Sequence, residues 1–314
     1  MTPADVIDAY LTRQRSLGMR FDSAGQLLHR FGRAMGERQI QEVTPGAILD
    51  FLKGNGTLSA TWILKHRVLT GLYRFAIERG YVDNSPLPTT IPKLAPQQTP
   101  YVYSTGELRR LLDATAILRK GHSRQVPAMY RTLLLLLYGT GMRIGEALRL
   151  TLQDVDLAEG IITVRCTKFF KTRLVPIGPK LADELATHLE RRGLLPMPLG
   201  KAAPLFASRG VRGWSYPRVI AMFQHVRRVA GINWPVGEPR PPRLHDLRHT
   251  AAVHRVVAWY RTGQDVQRLL PQLATYLGHL DIRSTQRYLQ MTPELLQAAS
   301  QRFAEYAIGG DHEG

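Results

Sequence analysis

Cysteine is nearly absent from this chain: Cys166 stands alone among 314 residues. Without a second thiol, an intrachain disulfide is excluded, and so is a zinc site built on paired cysteines. Such usage fits a reducing compartment. Acidic residues are also few. Asp and Glu number 25 against 42 Lys and Arg, which leaves a formal charge of +17. The carboxylates are scattered and lack the clustered spacing that a metal-dependent nuclease requires. Long apolar runs are missing too. Leu133–Tyr138 is the most apolar segment, with Arg131 just before it, and it falls far short of the ~20 residues that span a bilayer. The N-terminus carries Asp5 and Asp8 and no apolar leader core, so a cytoplasmic protein is expected, with no membrane partner. No internal repeat and no low-complexity tract interrupts the chain.

What remains is an ordinary globular balance, 44% hydrophobic and 21% charged, with a large cationic excess. The length allows two domains. Nucleic acid is the commonest partner for such an excess, because cationic side chains displace counterions from phosphates. Residues 1–90 read as helical. Val6, Ile7, Tyr10 and Leu11 begin a helical spacing that Leu27, Leu28, Phe31 and Met35 continue. Thr44-Pro45 is a cap followed by proline at the first helical position. Beyond Gly54-Asn55-Gly56, a longer helix carries Leu58, Trp62, Leu69, Leu72, Tyr73 and Ala76 on one stripe. Lys65, His66, Arg67 and Arg74 lie elsewhere on it, either as a solvated face or as a DNA-facing edge. Five prolines between Asn84 and Pro100 mark a linker at 91–100. Thr105 then opens a helix that buries Leu111 and Leu112. Ile161–Cys166 and Arg173–Ile177 predict a hairpin whose tip carries Lys168 and Lys171. Helices are expected over 181–192 and 216–230, with loops over 193–204 and 233–243.

Three local patterns carry chemistry. They are Gly139-Thr140-Gly141-Met142-Arg143-Ile144-Gly145-Glu146, then Leu244-His245-Asp246-Leu247-Arg248-His249-Thr250, then Leu277-Gly278-His279 followed by Thr285, Arg287 and Tyr288. A phosphodiester under attack by an alkoxide gathers charge on its non-bridging oxygens, and a guanidinium fork matches that charge. Arg143 and Arg248 are the candidate forks. Glu146, three residues beyond Arg143, is placed to orient it. His245 and Arg248 share a helix face. Tyr288 is a weak nucleophile until an imidazole accepts its proton and arginines favour the phenolate. Lys168 is placed to protonate the leaving oxygen. Each residue alone has a plainer reading as packing, solvated charge or turn. Their joint order and spacing carry the inference.

The sequence resembles the tyrosine recombinases of the phage-integrase superfamily over nearly its whole length, specifically in the catalytic half and generally in residues 1–90. The resemblance implies a mainly α fold with a small β-hairpin or sheet. It implies a helical SAM-like core-binding domain at 1–90, the linker, and an α+β catalytic domain at 101–314. It implies a site-specific recombinase or integrase that cuts and rejoins double-stranded DNA through a 3′-phosphotyrosyl intermediate, without cofactor, metal or ATP. Arg143, Lys168, His245, Arg248, His279 and Tyr288 would be catalytic, and His249 would support its helix. Lys65, Arg67, Arg74 and Lys171 are candidate DNA contacts. The hairpin tip departs from many relatives in lacking glycines, which makes Lys171 a rival to Lys168 as the acid. Thr292-Pro293 starts a helix over 293–308 with Leu295, Leu296, Ala299, Phe303 and Tyr306 on its stripe. The family often donates this last helix to a neighbour, which implies a homotetramer on DNA. Accessory recombination proteins and a nucleoid location are implied as well. A catalytically silent sequence-specific DNA-binding protein is the alternative, and a relaxing topoisomerase is a third reading.

Overall fold

The computed structural model describes residues 1–19, 21–54, 58–94, 100–118, 125–165, 172–195, 200–207, 213–233 and 240–278, with 297 and 300 near the C-terminus. The chain divides into two compact units, Met1–Gln98 and Thr99–Gly314.

In the first unit, α1 (Pro3–Ser16) starts in a capping box in which Thr2 and Asp5 satisfy each other's backbone N–H groups. Then come α2 (Asp22–Met35), α3 (Pro45–Lys53) and α4 (Ala60–Glu78). Thr44 caps α3 and Pro45 opens it, as the sequence predicts. Val6, Ile7, Leu28, Phe31, Ile48, Leu69, Leu72 and Tyr73 close one core among these helices. Leu58 departs from its expectation. It precedes α4 and is 46% exposed, because the apolar stripe has no helix to continue it there.

The second unit opens with α5 (Thr105–Ala114), capped by Ser104 and Glu107. Leu111 is buried, whereas Leu112 is only half-buried. The apolar run lies in α6 (Gln125–Thr140), where Leu133, Leu134, Leu136 and Leu137 are all buried. Each such side chain contributes about 1.5–3 kcal/mol when removed from water. The short α7 (Ile144–Ala147) leads to a three-stranded antiparallel sheet of β1 (Val155–Asp156), β2 (Ile161–Val164) and β3 (Arg173–Pro176). In β2 and β3, Ile162 faces Val175 and Val164 faces Arg173. The hairpin was expected; β1 was not, since two residues carry no period. Next are α8 (Pro179–Gly193), α9 (Tyr216–Val229), α10 (Asp246–Arg261) and α11 (Val266–Leu277). The main core joins α5, α6, the sheet, α8 and α9. A smaller cluster of Val253, Val256, Val257, Leu273 and Leu277 seals α10 against α11. Among the described residues, no helix is long and apolar enough to cross a membrane.

Candidate active site

The end of α6 and the end of α11 meet at two glycines. Gly141 has φ +61° and Gly278 has φ +70°, a region that side chains rarely adopt. A Cβ on Gly141 would stand 2.5 Å from Leu277 Cδ2, so glycine is also what lets the two ends approach. Gly278 ends α11 in a left-handed cap, its N–H returning to the carbonyls of Ala274 and Thr275.

Arg143 follows the Gly141 turn. Its Nη1 donates to Glu146 Oε1 at 3.0 Å, and Nη1 and Nη2 each lie 3.4 Å from the Gly278 carbonyl. Glu146 Oε2 accepts the Arg143 backbone N–H at 3.0 Å. The Arg143 side chain keeps 43% exposure, while that of Glu146 has 4%. Arg248, in the first turn of α10, is 2% exposed. Its Nη1 donates to the Gly141 carbonyl at 2.6 Å and its Nη2 to the Leu277 carbonyl at 2.8 Å. The two predicted forks therefore converge on one turn, Leu277–Gly278, which leads directly to His279.

Arg173, the first residue of β3, stands in none of the three sequence patterns. Its Nη1 and Nη2 grip Glu146 Oε1 and Oε2 at 3.2 and 2.7 Å, and its Nε donates to the Tyr276 carbonyl at 3.2 Å. The sequence offered only a basic residue at the edge of a β-prone run, and its carboxylate partner is 27 positions away. Burial pushes the Glu146 carboxyl up, but bonds from Arg173 and from the Arg143 backbone, with the charges of both arginines, outweigh it and bring the pKa down to about 2.

His245 sits at the N-cap position of α10 and is exposed. Desolvation by the surrounding protein, then the charge of Arg248, lowers its pKa below the usual imidazole value. The His249 ring packs edge-on against it at 5.1 Å. Desolvation, then His245 and the arginines Arg243, Arg248 and Arg240, bring His249 down to about 3, so it stays neutral at ordinary pH. Asp246 is buried and accepts from Arg243 N at 2.7 Å and Arg243 Nη2 at 3.1 Å. This pins the start of α10 from below.

Lys168, Lys171, His279 and Tyr288 lie outside the described residues, as does nearly all of the segment 293–308. On α4, Arg67 and Arg74 are exposed. Lys65 is half-buried; its ammonium donates to the Phe51 and Leu52 carbonyls at 2.6 and 3.3 Å. That bond set caps the C-terminal end of α3. Among the described residues, no group of three or more His, Cys, Asp or Glu is placed to hold a metal ion.

A family model described as "Phage integrase family" matches residues 104–294. The candidate integrase/recombinase y4rE of Sinorhizobium fredii is 34% identical over 94% of this chain and 94% of its own length. Tyrosine recombinase XerA of Thermococcus kodakarensis is 30% identical over 81% of this chain and 79% of its own. In fold, the chain is similar to a lambda integrase crystallised as a dimer bound to a COC′ core site. The TM-score is 0.67 at 19% identity, over 92% of this chain and 95% of that one.

Proposed function

The chain belongs to the phage integrase family, the tyrosine recombinases that break and rejoin DNA strands, and we propose that it is a site-specific recombinase acting through a 3′-phosphotyrosyl intermediate. One observation carries the reading: Arg143 and Arg248, from different elements, converge on the Leu277–Gly278 turn that precedes His279. Arg143 keeps an exposed face for a phosphate oxygen, and Arg248 fixes the backbone behind it.

In this reading, Tyr288 Oη attacks the scissile phosphorus and the bond to the 5′-oxygen breaks. An imidazole, His245 or His279, accepts the phenolic proton. Desolvation and the charge of Arg248 shift the His245 pKa down, which favours the neutral imidazole that such a base must be. Lys168 at the hairpin tip, with Lys171 as rival, protonates the departing 5′-oxygen. The exposed Arg143 guanidinium holds the charge that builds on phosphorus-bound oxygen, and Arg248, expected from the sequence as a second fork, is buried on backbone carbonyls and holds the turn behind it. A 5′-hydroxyl of the partner strand then attacks the phosphotyrosine, restoring the phosphodiester and free Tyr288. One ester is exchanged for another, so the bond energy is conserved.

Residues 1–90 act in this account as the core-binding domain, 91–100 as the linker and 101–314 as the catalytic domain. Arg67 and Arg74 on the exposed side of α4 supply phosphate contacts, and Lys65 sets the α3–α4 packing beneath them. The helix over 293–308 docks on a neighbouring protomer and builds a tetramer at the synapse, in the nucleoid. Homologous architecture supports that step: lambda integrase has been crystallised as a tetramer bound to a Holliday junction.

The test uses a nicked duplex carrying the sequence that the wild-type protein selects from a randomised library. Wild type is expected to give a covalent protein–DNA band on a denaturing gel, and Tyr288→Phe none. Selective binding without a band in either protein would favour a silent DNA-binding protein and contradict the proposal.

A further inference from the structure

Three arginines take three consecutive carbonyls at the end of α11. Arg173 Nε donates to Tyr276 O at 3.2 Å, Arg248 Nη2 to Leu277 O at 2.8 Å, and Arg143 reaches Gly278 O at 3.4 Å. The last turn of a helix leaves its carbonyls unpaired and carries partial negative charge, so cations are favoured there. Arg143 is the proposed phosphate clamp, and Arg248 holds the turn behind it. The third enters from the sheet, at the base of the hairpin that bears Lys168.

Arg173 also lies flat against Gly278. A Cβ at that glycine would stand 2.8–3.1 Å from the guanidinium, so the contact requires a residue without a side chain as well as φ +70°. The same guanidinium holds both oxygens of Glu146. Glu146 Oε1 is shared, since Arg143 Nη1 donates to it as well. The carboxylate is buried and needs cationic partners from both sides.

We infer that Arg173 is a positioning residue for Arg143, acting through Glu146 and the Gly278 turn; this rests on the recombinase reading above. With Arg173 in place, its guanidinium holds both Glu146 oxygens and that of Arg143 shares only Oε1, so Arg143 keeps one face towards Gly278 and solvent. Without it, the buried carboxylate has Arg143 as its one remaining ion-pair partner among the described residues. The pair closes on itself, and the clamp turns away from the phosphate. A lysine cannot substitute: its single nitrogen cannot reach Tyr276 O and both Glu146 oxygens in one fork. The structural consequence is local, because lysine keeps one charge beside Glu146, but the oxygen that it releases is left to Arg143, which turns towards it.

The experiment compares wild type with Arg173→Lys in single-turnover cleavage of the library-selected nicked duplex, at saturating protein. Cleavage is expected to slow about tenfold or more, with the Kd for that duplex within about threefold and Tm within a few degrees of wild type. A second substrate replaces the scissile 5′-oxygen by sulfur, a leaving group that departs without a proton. The Arg173→Lys defect is expected to persist on it, because the defect lies in the phosphate grip. Wild-type cleavage rates in the variant would overturn the inference. So would slowing matched by lost folding or lost DNA affinity, which assigns Arg173 to structure alone. Rescue by the sulfur substrate would overturn it too, placing Arg173 behind the hairpin lysine instead. If wild type itself forms no adduct, the recombinase reading fails first and the inference falls with it.

Discussion

Glu146 is the residue on which the described part of the site balances. It is buried between Arg143 and Arg173, and folding lowers its pKa from 4.5 to about 2. A depressed carboxylate stabilises the fold fully above its unfolded pKa, and that contribution is lost as pH falls from about 4.5 to about 2. The shift corresponds to roughly 3 kcal/mol. Urea unfolding of wild type and Glu146→Gln across pH 7 to 2 is expected to show the difference in stability between them shrinking by about that amount within this window. A constant difference would contradict the ion-pair account. At this scale the sequence was partly legible. Arg143 and Glu146 stand three apart on one turn, so their pairing follows from local geometry. Arg173 was not legible, because its partners Glu146 and Tyr276 reach it only through the fold.

At the scale of elements, caps and breaks were readable because they are local chemistry. Thr44-Pro45 starts α3 and Gly54 ends it; the β-prone runs flanking the lysines became β2 and β3. The two-residue β1 was missed because it exists only by pairing with β2. The approach of α6 to α11 was also hidden, because it joins segments more than a hundred residues apart. That approach makes Gly141→Ala informative. Its Cβ would meet Leu277 Cδ2 at 2.5 Å in a left-handed backbone, a cost of about 2 kcal/mol or more. Thermal unfolding is expected to show the loss of stability. Cleavage of the nicked duplex is expected to fall further than stability does, because Leu277 carries the carbonyl held by Arg248. Unchanged cleavage in a folded variant would separate the glycine from the site.

At the scale of the whole molecule, the excess of 42 Lys and Arg over 25 Asp and Glu already pointed to a polyanionic partner, and the family match over 104–294 makes that partner DNA. The target sequence is not legible from either, since base contacts and DNA deformability decide it. Assembly is tested by truncation. Removal of residues 293–314 is expected to spare binding of one protomer to a half-site and abolish the synaptic complex, read by gel shift and sedimentation; full synapsis by the truncated chain would contradict docking in trans. The central claim, that a tyrosine outside the described residues completes the arginine clamp, is tested most directly by mapping the covalent link. The wild-type adduct would be trapped on the nicked duplex, digested with nuclease and trypsin, and read by mass spectrometry. The account predicts a nucleotide phosphodiester on the peptide that begins at Tyr288. A nucleotide on any other residue would contradict it.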